Sequence, residues 1–74
     1  EVLEVVAALN SPITEGLLSK VSLPTGVSIG GVVGINGVTI AQGNTQVEPG
    51  DTVVVLALGS QRKAVSKLFK RGLF

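Results

Sequence analysis

The dipeptide Asn36-Gly37, set between the β-branched stretches Val27 to Ile35 and Val38 to Ala41, constrains this chain more than any other feature. Both inner positions of a type I′ turn need positive φ, and Asn-Gly is the pair that tolerates it, so two strands joined by a two-residue hairpin are predicted. A second turn sets where another strand begins. In Val47-Glu48-Pro49-Gly50-Asp51, proline presets φ for the first inner position and Gly50 supplies the positive φ that a type II turn needs at the next. The strand that follows, Thr52 to Leu58, is apolar on both sides and is therefore predicted to be central or covered on both faces.

The remaining elements follow from periodicity and punctuation. Glu1 to Ala8 is a valine-rich run bounded by Asn10-Ser11-Pro12, which reads as a first strand. Ser11 and Pro12 supply a cap and a first helical position, and Ile13, Leu17, Leu18 and Val21 recur at a spacing that stacks them on one face of a short helix. Gly16 weakens that helix and Pro24 stops it. From Val27 the period becomes two: Ile29, Val33 and Ile35 share one face with Gly31 between them, and Ser28, Gly30, Val32 and Gly34 share the other. Several glycines within one strand mark the close approach of another backbone, a helix or a second subunit. After Gly59-Ser60, with Ser60 as cap, Val65, Leu68 and Phe69 form the apolar stripe of a C-terminal helix that Gly72 ends. The order is strand, helix, three strands, helix. This is an α+β class, a small β-α-β-β-β-α domain with a largely antiparallel sheet, spanning residues 1–74.

A chain of 74 residues sits near the size at which one core offsets the entropy of ordering the backbone. Its apolar residues are almost all Val, Leu, Ile and Ala, with Phe69 and Phe74 the only aromatics. There is no Cys for a disulfide and no Cys or His for a structural zinc site, so the expected supplements are oligomerisation and attachment to a longer chain. The opening Glu1, with no leader-like segment, reads as a piece of a longer protein. The apolar runs are far shorter than the roughly 20 residues a helix needs to span a bilayer.

The residue inventory argues against catalysis. Without His, Cys or Tyr, general acid–base work would fall to carboxylates or lysine, and a Ser or Thr nucleophile would lack an imidazole partner. Glu48 and Asp51 flank the Pro-Gly turn, where acidic side chains cap backbone amides, and two carboxylates are too few for a dedicated metal cage. Gly30, Gly31 and Gly34 lie inside a strand leading to a hairpin, whereas a phosphate cradle needs a strand followed at once by a helix. The cations Arg62, Lys63, Lys67, Lys70 and Arg71 cluster on the last helix, which reads first as a solvated face. Nucleic-acid readers interleave aromatics or spread basic residues over several elements, so no nucleic acid is expected as partner.

Taken in order, Ser11-Pro12-Ile13, Leu18, Val21, Leu23-Pro24-x-Gly26-Val27, Ile29-Gly30-x-Val32, the hairpin, Gly43-Asn44-Thr45, Val47-Glu48-Pro49-Gly50-Asp51 and the closing valine strand resemble the TrkA C-terminal (RCK-C) domain family of bacterial potassium-uptake regulators. Glu1 to Ala7 and Leu68 to Phe74 are most similar to the last domain of its potassium-uptake members. The resemblance covers essentially the whole chain. It implies a cytosolic, non-catalytic regulatory domain, peripheral to the inner face of the cell membrane. Such a domain forms a homodimer or higher oligomer and transmits a ligand signal to a membrane-embedded potassium transporter or channel subunit. It implies no bound cofactor and allows for a nucleotide or a cyclic dinucleotide as effector. The positions matching the family's ligand loop are Leu23, Gly26, Val27 and Ser28. Two other expectations stand beside it: an accessory domain of the same family in an anion or amino-acid transporter, and a small nucleic-acid-binding β domain.

Overall fold

The computed structural model describes residues 1–71. Four strands, β1 (Val2–Val6), β2 (Val27–Gly34), β3 (Gly37–Ile40) and β4 (Thr52–Ala57), form one antiparallel sheet in the order β1-β4-β2-β3, and one helix, α1 (Arg62–Phe69), follows. This is the α+β, antiparallel class that the pattern predicts. The doubly apolar strand β4 is central, as its composition requires, with β1 on one side and β2 on the other. No helix among the described residues is long and apolar enough to cross a membrane.

The expected first helix is instead two single 3-10 turns, Pro12–Thr14 and Leu18–Lys20. The reason lies in where its amides go. Leu17 is extended and bridges to Gln46, and the amides of Leu18 and Ser19 donate to the carbonyls of Thr45 and Gly43, both at 2.9 Å. Those bonds to a distant loop replace the i to i−4 ladder that a helix would need. Ser11 starts the first turn without a side-chain cap, its buried Oγ having no partner among the described residues. Ile13 is nevertheless fully buried, and Leu18 and Val21 pack against the core.

The hairpin also departs from the type I′ form. Gly34 pairs with Gly37, leaving Ile35 and Asn36 as the loop, and the left-handed φ of +108° falls on Gly37 rather than on Asn36. Two ordinary residues followed by a left-handed glycine is the arrangement of a turn closed by a glycine bulge, which places the one costly conformation where no Cβ exists. The Pro49-Gly50 turn matches its expectation: Gly50 has φ +91°, and the Asp51 amide donates to the Glu48 carbonyl at 3.1 Å. Asp51 Oδ2 accepts the Glu48 amide at 3.0 Å, so this carboxylate caps the turn.

Strict alternation fails in β2, and the failure shapes the sheet. Ile29 pairs with Val55 and Gly31 with Val54, so Gly30 is an extra residue, a β-bulge that resets the alternation. Val32, expected beside Gly30, turns into the core at 4% exposure, while Val33 and Ile35 turn outward. Val27, Val32, Val53, Val55 and Ala57 therefore meet Val65, Leu68 and Phe69 of α1, with Ile13 and Val47 completing a single layer of core between sheet and helix. The helix keeps the predicted apolar stripe but starts after a 3-10 turn, Gly59–Gln61, so Gln61 rather than Ser60 occupies the cap position. It stops at Phe69 with an extended Lys70, and Gly72 lies outside the described residues.

Candidate functional site

The loop that carries Leu23 and Gly26 is built by its neighbours. Val27 donates its amide to the Pro24 carbonyl at 3.1 Å, closing a tight turn in which Gly26 takes a left-handed φ of +84°. The connection between β4 and α1 holds this turn in place: the Leu58 amide donates to the Gly26 carbonyl at 3.1 Å, and Gln61 Nε2 donates to the Thr25 carbonyl at 2.6 Å. A Cβ at Gly26 would lie 2.9 Å from Leu58 Cδ1, an exposed side chain that can move aside, so it is the left-handed conformation that demands glycine there. Gly26→Ala is accordingly expected to cost about 1–2 kcal/mol in a urea titration. Gly16→Ala, at a glycine with no positive φ and nothing near its missing Cβ, should change stability little.

The four positions matched to the family's ligand loop fall in different settings. Gly26 and Ser28 line a shallow depression of about 470 Å³ together with Val2, Leu56 and Leu58. Leu23 and Ser28 line a second one of about 220 Å³ with Leu18, Ile29, Ala41 and Gln42. Ser28 is the residue common to both. Val27 lines neither depression and is buried in the core, where it anchors the start of β2. Both depressions are mostly apolar, with Ser28 the polar residue common to them.

Charge near the first depression is largely cancelled. Glu1, which also lines it, accepts from Arg62 Nε at 3.0 Å, and Arg62 Nη2 donates to the same oxygen. The hydrogen bond from Arg62 lowers the Glu1 carboxyl below its ordinary range, and the same bond raises the guanidinium. Both groups are exposed, so the pair directs the side chains more than it stabilises the fold.

The first depression opens onto a surface that periodicity did not reveal. Cross-strand register puts Val2, Leu56 and Ser28 in one row of the sheet face turned away from α1. Glu4, Val54, Gly31 and Ile40 form the next, and Val6, Thr52, Val33 and Val38 the third. Val2, Val6, Val38 and Ile40 are each at least 60% exposed, and Leu56 is 46% exposed. Scattered exposed aliphatics need no explanation, but a contiguous face of them marks an interaction surface. The double-sided hydrophobicity of β4 was its signal, with the bulge at Gly30 hiding the contribution of β2.

Comparison with known proteins agrees with this architecture. The TrkA-C domain family matches residues 2–70. Among curated proteins, the Trk system potassium uptake protein TrkA homolog 2 of Methanosarcina mazei is 37% identical over 70 residues. That alignment covers 95% of this chain but 16% of the relative, so the chain corresponds to a small part of that protein. Among solved structures, one described as an RCK domain with cda superposes with a TM-score of 0.76 at 16% identity, covering 93% of this chain and 97% of that one; it shares the fold. With nearly every described residue inside the family match and a 37% identical relative across 95% of its length, the chain belongs to the TrkA-C domain family.

Proposed function

We propose that this chain is a non-catalytic, ligand-sensing and dimerising domain of a potassium-uptake system, acting from the cytoplasmic side on a membrane-embedded potassium transporter or channel subunit. The relative from Methanosarcina mazei, a potassium uptake protein by description, supports the transport setting. One observation carries the sensing role: the loop ending at Gly26 runs directly into β2, whose Ser28 lies both on the loop's depressions and on the uncovered sheet face. A molecule held at the loop therefore touches the surface through which subunits meet. An effector shifts an assembly only by its differential affinity for the two arrangements, and a site sharing residues with the interface is where such a difference arises.

The fitting effector chemistry is a nucleotide or cyclic dinucleotide, whose flat base can cover apolar surface while a ribose or phosphate oxygen accepts from Ser28. Thermal denaturation with a panel of mononucleotides and cyclic dinucleotides tests it. A ligand at about 100 times its dissociation constant should raise the melting temperature by roughly 10–20 °C. The shift should shrink in Ser28→Ala, and the same ligand should alter the sedimentation coefficient. No shift with any member of the panel would contradict the proposed effector class.

A further inference from the structure

We infer that the outward face of α1 is a docking surface for anionic lipid headgroups, through which the domain adsorbs to a negatively charged bilayer. The inference goes beyond the sensing role proposed above and rests on that reading only for the cytoplasmic side from which the bilayer is met. Charge is divided along the chain: all five acidic residues lie at or before Asp51, and five of the six basic ones lie from Arg62 onward. The fold gathers those cations on one element. Lys63 and Lys67 stand one turn apart on the exposed face of α1, opposite the buried stripe of Val65, Leu68 and Phe69. Lys70 and Arg71 continue the exposed run where the helix ends.

Folding does not account for these charges. Arg62 is paired with Glu1, but no acidic group among the described residues lies within ion-pair distance of Lys63, Lys67, Lys70 or Arg71. Lys63 also occupies the first turn of α1, where the helix dipole disfavours a cation and no acidic side chain offsets it. Glu15 lines a depression beside Leu68, and Lys20 lines the same one, so these two offset each other and the cations of α1 are left over.

The kind of partner follows from what this face lacks. The large apolar side chains of α1 are turned into the core, so no ring remains for a nucleic-acid base to stack on and none projects to enter the hydrocarbon of a bilayer. Contacts between proteins are built on buried aromatic or Arg anchors and are poor in Lys, whereas three of the four cations here are Lys. Lysine is a compact, hydrated charge on a flexible stem that demands no matching fork, which suits a fluid plane of phosphates. The cytoplasmic leaflet is such a plane, and each cation brought to it raises affinity about fivefold. Cytoplasmic loops of membrane proteins are instead rich in Lys and Arg and would repel α1. The contact is therefore reversible, and salt screens it. Because α1 covers the other side of the sheet, adsorption through it leaves the open sheet face accessible.

Co-sedimentation with vesicles of equal parts phosphatidylcholine and phosphatidylglycerol, set against vesicles of phosphatidylcholine alone, tests the assignment. The wild type should pellet with the anionic vesicles at low ionic strength, be released by added salt, and stay in solution with the neutral ones. Lys63→Gln and Lys67→Gln together should weaken binding by roughly 25-fold. The melting curve and circular dichroism of that double variant should match the wild type, since neither lysine has an ion-pair partner to lose. Lys20→Gln should change binding little. A wild type that ignores the anionic vesicles, or a double variant that binds as the wild type does, would overturn the assignment. As large a loss in Lys20→Gln would trace binding to net charge rather than to α1 and would overturn it too. A duplex oligonucleotide held more tightly than the vesicles, at equal phosphate and salt, would overturn it in favour of nucleic acid. None of these outcomes bears on the thermal shift with nucleotides, so failure here leaves the sensing role standing.

Discussion

Val53→Asp should abolish folding. Val53 is fully buried at the centre of β4, opposite Val5 on one side and Val32 on the other, with the core layer beneath it. An aspartate there either buries an unpaired charge or folds only as the neutral acid, and either route costs several kcal/mol beyond the lost packing. A domain of this size has roughly 4–11 kcal/mol in total. That margin is further reduced because one layer of aliphatic side chains serves the whole molecule. Circular dichroism and the dispersion of amide resonances should both show an unfolded chain. Val53→Ala, which removes only packing, should cost about 2 kcal/mol and leave the sheet intact. A folded Val53→Asp with wild-type dispersion would mean that β4 is not the centre of the core.

Leu56→Asp should have the opposite signature, an intact fold with its self-association lost. Leu56 lies three residues along the same strand, on the uncovered face, and is 46% exposed in the single chain. The monomer can therefore accept a carboxylate there with its hydration largely kept. In a dimer formed through this face the same carboxylate would be desolvated among aliphatic side chains without a cation to meet it. Two symmetry-related charges enter the contact, so dimerisation should weaken by roughly 3 kcal/mol or more, about two orders of magnitude. Lys63→Asp, on the solvated face of α1, changes the net charge by more, replacing a cation by a carboxylate away from the sheet, and should still leave association unchanged. Equal loss in both variants would point to net charge rather than to the sheet face.

Where a residue's conformation is set by its immediate neighbours, the structure was legible in the sequence. Gly50 takes the positive φ that a Pro-Gly turn needs, β4 is central because it is apolar on both sides, and the stripe Val65, Leu68 and Phe69 faces the core. Where distant backbone competes, it was not. The segment after Pro12 has a helical pattern, but carbonyls of Gly43 and Thr45 take the amides that a helix would use. Asn36-Gly37 marks the hairpin without distinguishing the two turn forms, because both place glycine in left-handed space. The bulge at Gly30 was invisible for a related reason: an extra residue in one strand is defined only by its partner, and the sequence of β2 alone does not contain β4. That single offset moved Val32 into the core and Val33 out of it. Of the candidate loop, Gly26 and Ser28 were placed together, while the contributions of Val2, Leu56 and Leu58 depended on a strand order that pattern alone does not specify.

The uncovered sheet face ties these results together, since it adjoins the candidate ligand loop and carries the exposed aliphatics through which the proposed dimerisation would run. Sedimentation velocity of the wild-type chain across the micromolar to millimolar range tests this most directly. A reversible monomer–dimer equilibrium, with a weight-average coefficient that climbs smoothly with concentration, is the predicted result. A single monomeric species throughout that range would contradict the account.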